Sequence, residues 1–140
     1  MNSTSSSSQR PNNSRLDASS ARTYNGAVAD CLFCKIIEGE VPSDRLYDDD
    51  LVVVILDISP RAPRHFLVIP REHIGTAKDV RGEHGPILTR MFAAASSVAK
   101  DEGIAESGFR LAFNVGDDAG MTVNHLHMHV LGGRELGPEG

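Results

Sequence analysis

The chain has 140 residues, of which 40% are apolar and 24% charged, with a formal net charge of −5; this is one domain's worth of ordinary globular sequence, long enough to bury a core without disulfide or metal staples. The acidic balance argues against a general nucleic-acid binder, which would show a basic face, although it leaves room for a local cationic pocket. The longest apolar run, residues 51–56, is too short to span a membrane, and two cysteines in a single CxxC pair make no disulfide framework, so a reducing, cytoplasmic setting is the default expectation.

Residues 1–29 are rich in Ser and Asn and show no apolar periodicity, so they are expected to form a disordered tail. Arg10, Arg15 and Arg22 against the single acid Asp17 faintly suggest an organelle transit peptide, but the stretch has no clear amphipathic face. The folded domain is expected over residues 30–140. Within it, residues 31–38 read as a short helical turn stopped at Gly39. Residues 46–56 read as a hairpin, with an acidic turn at Asp48, Asp49 and Asp50 and a second strand of β-branched residues. Pro60 and Pro63 make residues 58–63 a loop, and a buried strand over 65–69 stops at Pro70. In residues 85–100 the apolar positions Ile87, Leu88, Met91, Phe92, Ala95, Val98 and Ala99 recur at helical spacing, with Gly103 as the stop and His84 as a surface or capping residue at the start. A strand over 109–115, a glycine-containing loop over 116–120 and a histidine strand complete the pattern. It predicts an α+β domain: an antiparallel sheet of about five strands, one long helix and a short N-terminal helix.

His125, His127 and His129 alternate with Leu126, Met128 and Val130. On a strand such alternation puts three imidazoles on one face and the apolar residues on the other. Folding does not require three histidines there, so the face is expected to bind something. The residues leave two chemistries open. The imidazoles are metal ligands, or they form an anion site in which a neutral imidazole is the nucleophile and its neighbours donate hydrogen bonds. The loop from Gly116 to Gly120, able to aim backbone N–H groups at a phosphate, and the Thr122 hydroxyl favour the anion site.

The run HLHMHVLGG resembles the His-x-His-x-His motif of the histidine triad superfamily. The segments DCLFCKIIEGEVPS, LDISPRAPRHFLVIPREHI and FNVGDDAG are similar to the corresponding family segments in the same order, so the likeness extends from Asp30 to Arg134. Within the superfamily the chain looks most like the histidine triad nucleotide-binding branch, the purine nucleoside phosphoramidases. The resemblance implies a hydrolase that cleaves AMP conjugates to AMP through a covalent nucleotidyl-histidine, without a catalytic cofactor. It makes His127 the nucleophile, puts His129 on the phosphate or the departing group, and places His65 behind the site. Asp57 then binds the ribose hydroxyls and Ile58 flanks the sugar and base. Leu32, Phe33, Ile36, Val41 and Ile55 line the purine slot, and Asn114, Gly120, Met121 and Thr122 contact the phosphate side. Purine nucleotides or AMP conjugates are the implied partners, in a homodimer built on the long helix and an edge strand, with no nucleic acid or membrane.

By itself, Cys31-Leu32-Phe33-Cys34 means zinc, redox activity or chance, and no strand precedes it as a thioredoxin-like setting would require. The resemblance implies a structural zinc held by Cys31, Cys34, His73 and His125, an ordinary closed donor set; the alternative is two reduced cysteines packed as small hydrophobes. Two departures from the family pattern affect leaving-group recognition. Met121-Thr122 stands where a Gln-Ser pair is common, and the chain has no tryptophan near its polar C-terminal end. A dinucleoside polyphosphate hydrolase and a nucleotide-binding regulatory protein with incidental hydrolysis are the rival readings. A metalloenzyme using all three histidines is a third.

Overall fold

In the computed structural model, which describes residues 30–140, five strands form one sheet: β1 (Arg45–Asp48), β2 (Val52–Leu56), β3 (Arg64–Pro70), β4 (Phe109–Ala112) and β5 (Met128–Gly132). Their order is β1-β2-β3-β5-β4, and every neighbouring pair is antiparallel. All of them belong to the unit Pro42–Gly140.

Strand periodicity decides what each face carries. Val52, Val54, Phe66, Val68, Met128 and Val130 alternate along their strands and meet Ile87, Met91, Ala94, Ala95, Val98 and Ala99 of the long helix α2 (Gly85–Asp101) in one apolar core. The intervening residues, His65, Leu67 and His129 among them, occupy the opposite face. The register fixes this, pairing Phe66 with Val130 and Leu67 with His129. The helix begins with Pro86 in its first turn, where a missing N–H costs nothing. It ends at Gly103, whose φ of +79° suits a residue without Cβ.

The β1–β2 turn is organised by one carboxylate. Asp49 accepts the N–H groups of Leu51 (2.7 Å) and Val52 (2.8 Å), the Tyr47 hydroxyl (2.6 Å) and an Arg90 Nη from α2 (2.9 Å). Burial pushes its pKa up, but these donors together outweigh that and hold it well below the usual carboxylate range.

The other unit ends at Val41. Its described part carries α1 (Leu32–Ile37), whose N-cap Cys31 accepts the Cys34 N–H on Sγ at 3.4 Å. The helix stops at Glu38 and Gly39, the latter at φ +85°. Phe33 and Ile36 are buried. The expected tail, residues 1–29, lies outside the described residues.

Three sequence expectations change. The strand expected over 109–115 leaves the ladder after Ala112, whose partner is His129. The histidine segment joins the sheet only at Met128, so His125 and His127 precede the strand. There the Leu126 N–H donates to the Ile74 carbonyl at 2.6 Å, which commits that backbone to the stretch after β3 rather than to β4. His84 stands at the N-cap of α2, as the capping alternative had it, but is buried: its Nδ1 accepts the Arg81 N–H at 2.9 Å and its Nε2 lies 3.3 Å from Glu72. Among the described residues, no helix is long and apolar enough to cross a membrane.

Candidate active site

The three histidines do not act as a row. His125 is fully buried and turned to one side, with Nε2 2.8 Å from the Pro70 carbonyl and Nδ1 3.1 Å from Nδ1 of His73. A carbonyl can only accept, so the His125 proton lies on Nε2 and its Nδ1 presents a lone pair toward His73. A ligand imidazole is commonly held this way, its far nitrogen pinned by a backbone oxygen. His73 and His125 thus suit a cation. Cys31 and Cys34, both reduced, are paired at the start of α1. Hydrogen bonding to Cys31, with burial second, raises the Cys34 thiol far above its ordinary value, a state that binding to a metal reverses.

His127 and His129 form the second group, their ring centroids 5.1 Å apart. His127 Nδ1 lies 2.7 Å from the carbonyl of His125, so Nδ1 holds the proton and Nε2 carries the lone pair. His129 has the reverse arrangement, set by a chain of donors. The Arg61 backbone N–H donates to His65 Nδ1 at 3.1 Å, which leaves the His65 proton on Nε2. His65 Nε2 then donates to His129 Nδ1 at 2.9 Å. The proton of neutral His129 is therefore on Nε2. One ring offers a lone pair and its neighbour an N–H.

Burial first, then the neighbouring His127, His65 and Arg61 charges, lower the pKa of His129 to about 4. Burial also lowers that of His65, aided by Arg61 and opposed by Asp57. Both rings are thus neutral near pH 7, which keeps the donor chain intact.

Asp57 follows β2 and works in two directions. Oδ1 accepts the Ser59 N–H at 2.8 Å, a turn-forming bond, and Oδ2 lies 3.4 Å from His65 Nε2. Beside it, Pro42, Ser43, Asp44, Leu56, Asp57 and Ile58 line a groove of about 330 Å³. Ile58 is 98% exposed, an unusual position for a large apolar side chain with nothing to cover it. Of the other expected contacts in this unit, Ile55 is buried, Asn114 and Met121 are half-buried, and Gly120 and Thr122 are exposed. Gly120 takes φ +81° at the end of the 116–120 loop. In the N-terminal unit, Phe33 and Ile36 are buried, Val41 half-buried and Leu32 exposed.

Two contributors had no signal in the sequence. Nothing in the Pro60–Pro63 loop marks Arg61, which supplies both a backbone donor to His65 and a guanidinium Nη2 3.4 Å from His129 Nδ1. The Pro70 carbonyl that orients His125 is equally silent, being a backbone atom.

A HIT domain matches residues 38–136. The purine nucleoside phosphoramidase of Escherichia coli strain K12 is 52% identical over 107 residues, covering 76% of this chain and 90% of that protein. Among solved structures, a HIT family hydrolase from Clostridium thermocellum is 50% identical with a TM-score of 0.76, covering 78% of this chain and 95% of the other. One from Legionella pneumophila Philadelphia 1 is 42% identical with a TM-score of 0.78, covering 79% and 100%. The fold and these relatives define a hydrolase. The chain belongs to the HIT family.

Proposed function

We propose that this protein hydrolyses adenosine and related purine nucleoside 5′-phosphoramidates to the nucleoside monophosphate, with His127 as nucleophile. The observation that carries the reading is the opposed tautomers of His127 and His129. Nε2 of His127 attacks the α-phosphorus, forming a P–N bond to the ring as the P–N bond to the departing amine breaks. The Nε2–H of His129 steadies the phosphoryl oxygens, and the leaving amine takes its proton from solvent water. Water then attacks the phosphorus, its proton passes to solvent, and the bond to His127 breaks to release AMP. A neutral imidazole needs no separate base to begin this sequence, and fixed donors around the phosphorus supply most of the stabilisation.

The groove beside Asp57 suits the nucleoside, with the carboxylate on the ribose hydroxyls and Ile58 against the sugar and base. Leu32, Phe33, Ile36, Val41 and Ile55 are assigned to the base, and Asn114, Gly120, Met121 and Thr122 to the phosphate side. The similarity to the E. coli phosphoramidase supports the substrate class.

Cys31, Cys34, His73 and His125 are assigned to a structural zinc. Two thiolates and two imidazoles are the donor types of a closed tetrahedral zinc site, and the Pro70 carbonyl holds His125 as a ligand imidazole is held. The zinc would anchor these segments and leave the chemistry to His127 and His129. Two cysteines outside any disulfide fit a reducing, cytoplasmic setting. Phe92, 49% exposed on α2, and a sheet edge without a neighbouring strand among the described residues fit a homodimer.

The test is a single turnover with an adenosine phosphoramidate, read by intact-mass spectrometry. An AMP-sized, acid-labile adduct on the wild type and none on His127→Ala supports the reading. Absence of both adduct and AMP release overturns it.

A further inference from the structure

Eight arginines lie in the described part of the chain, and six of them face a carboxylate: Arg45, Arg64, Arg71, Arg81, Arg90 and Arg110. Among the described residues, no carboxylate lies within ion-pair distance of the other two, Arg61 and Arg134. These two touch each other, Arg134 Nη2 donating to the Arg61 carbonyl at 3.0 Å. In a chain of net charge −5 the two arginines without acidic partners therefore meet, the Arg134 guanidinium on the Arg61 backbone and the Arg61 guanidinium at His129.

The fold builds this juxtaposition. Gly133, at φ +97°, brings the chain after β5 against the Arg61 loop so closely that a Cβ there would lie 2.9 Å from Cβ of Pro63. Pro60 and Pro63 stiffen that loop, and the Arg61 N–H is already committed to His65. Both side chains are exposed.

Position separates these cations from the nucleoside. The groove beside Asp57 includes neither of them. The Arg61 guanidinium lies at the Nδ1 edge of His129, whereas Nε2–H is the atom free to meet the α-phosphate. A charge displaced by the width of one ring meets what the phosphorus carries beyond that phosphate.

We propose that Arg61 and Arg134 select substrates whose leaving portion bears an anionic group, a carboxylate or a further phosphate, which they bind beside His129. The inference rests on the hydrolase reading above and specifies its substrate class. A guanidinium fork matches either oxyanion.

The experiment compares kcat/KM for three probes: the AMP amide of β-alanine, the AMP amide of butylamine as its uncharged counterpart, and diadenosine triphosphate. Wild type is expected to prefer the β-alanine amide over the butylamine amide by roughly tenfold, the scale of one half-exposed charged hydrogen bond. That ratio falls toward one in Arg61→Gln and in Arg134→Gln, and shrinks with added salt. A gain confined to diadenosine triphosphate and lost in both variants identifies phosphate as the anion. A wild-type ratio near one with no gain for the triphosphate, or ratios unchanged in both variants, overturns the inference and leaves the phosphoramidase reading standing. No turnover of either amide overturns both.

Discussion

His65 Nε2 lies 2.9 Å from His129 Nδ1, and this one bond determines which atom His129 presents to a substrate. A ring whose Nδ1 is occupied by a donor keeps its proton on Nε2, and burial, then the neighbouring charges, keep it neutral. Linkage gives this a consequence for stability. His129 titrates at about 4 in the folded protein and near 6.5 in an unfolded chain. Between those values the unfolded chain binds the extra proton, so stability is full above about pH 6.5 and falls as pH drops toward 4. The loss is on the order of 3 kcal/mol. Denaturant melts at pH 7 and pH 4.5 should show a smaller acid loss in His129→Gln than in wild type; equal losses would contradict the assignment.

Replacing His127 by Ala removes the lone pair held in place by the His125 carbonyl. Turnover of an adenosine phosphoramidate should fall at least about a thousandfold. AMP binding, measured by calorimetry, should change far less, since the groove beside Asp57 is untouched. A variant that keeps substantial turnover would move the nucleophile elsewhere.

Asp57→Ala should act on binding. If the carboxylate holds the ribose hydroxyls, AMP affinity should weaken by about 10- to 100-fold. A 2′,3′-dideoxy nucleotide should bind wild type and variant alike. Equal weakening for both nucleotides would show that Asp57 serves only its turn with Ser59 and its contact with His65.

Metal removal should separate stability from chemistry. Elemental analysis should find one zinc per chain, and chelation should lower Tm by at least about 5 °C. The single-turnover adduct should persist at temperatures where the chelated protein is still folded. Loss of adduct without loss of structure would make the metal catalytic.

Asp49→Ala strips the β1–β2 turn of an acceptor for two backbone N–H groups, a hydroxyl and a guanidinium. Stability should drop by about 2–3 kcal/mol, read from urea melts. The phosphoramidate rate should be unaffected while the protein is folded.

Much of this protein was legible before any coordinates. Continuous apolar runs rich in β-branched residues, the helical spacing from Ile87 to Ala99, and the prolines and glycines between them mark the strands β2 and β3 and the helix α2, because each pattern buries its apolar residues in the secondary structure that suits it. The order of the motifs around the three histidines pointed to the family. What only the tertiary structure decided is the division of labour among those histidines. Alternation places side chains on a face, but which nitrogen holds the proton depends on partners remote in sequence. The Pro70 carbonyl sets His125, while His65 with the Arg61 backbone sets His129. That Arg61 and Arg134, among the described residues, have no acidic partner was equally invisible. Long-range pairing of charges is a property of the fold, and a sequence records the charges but not which of them meet.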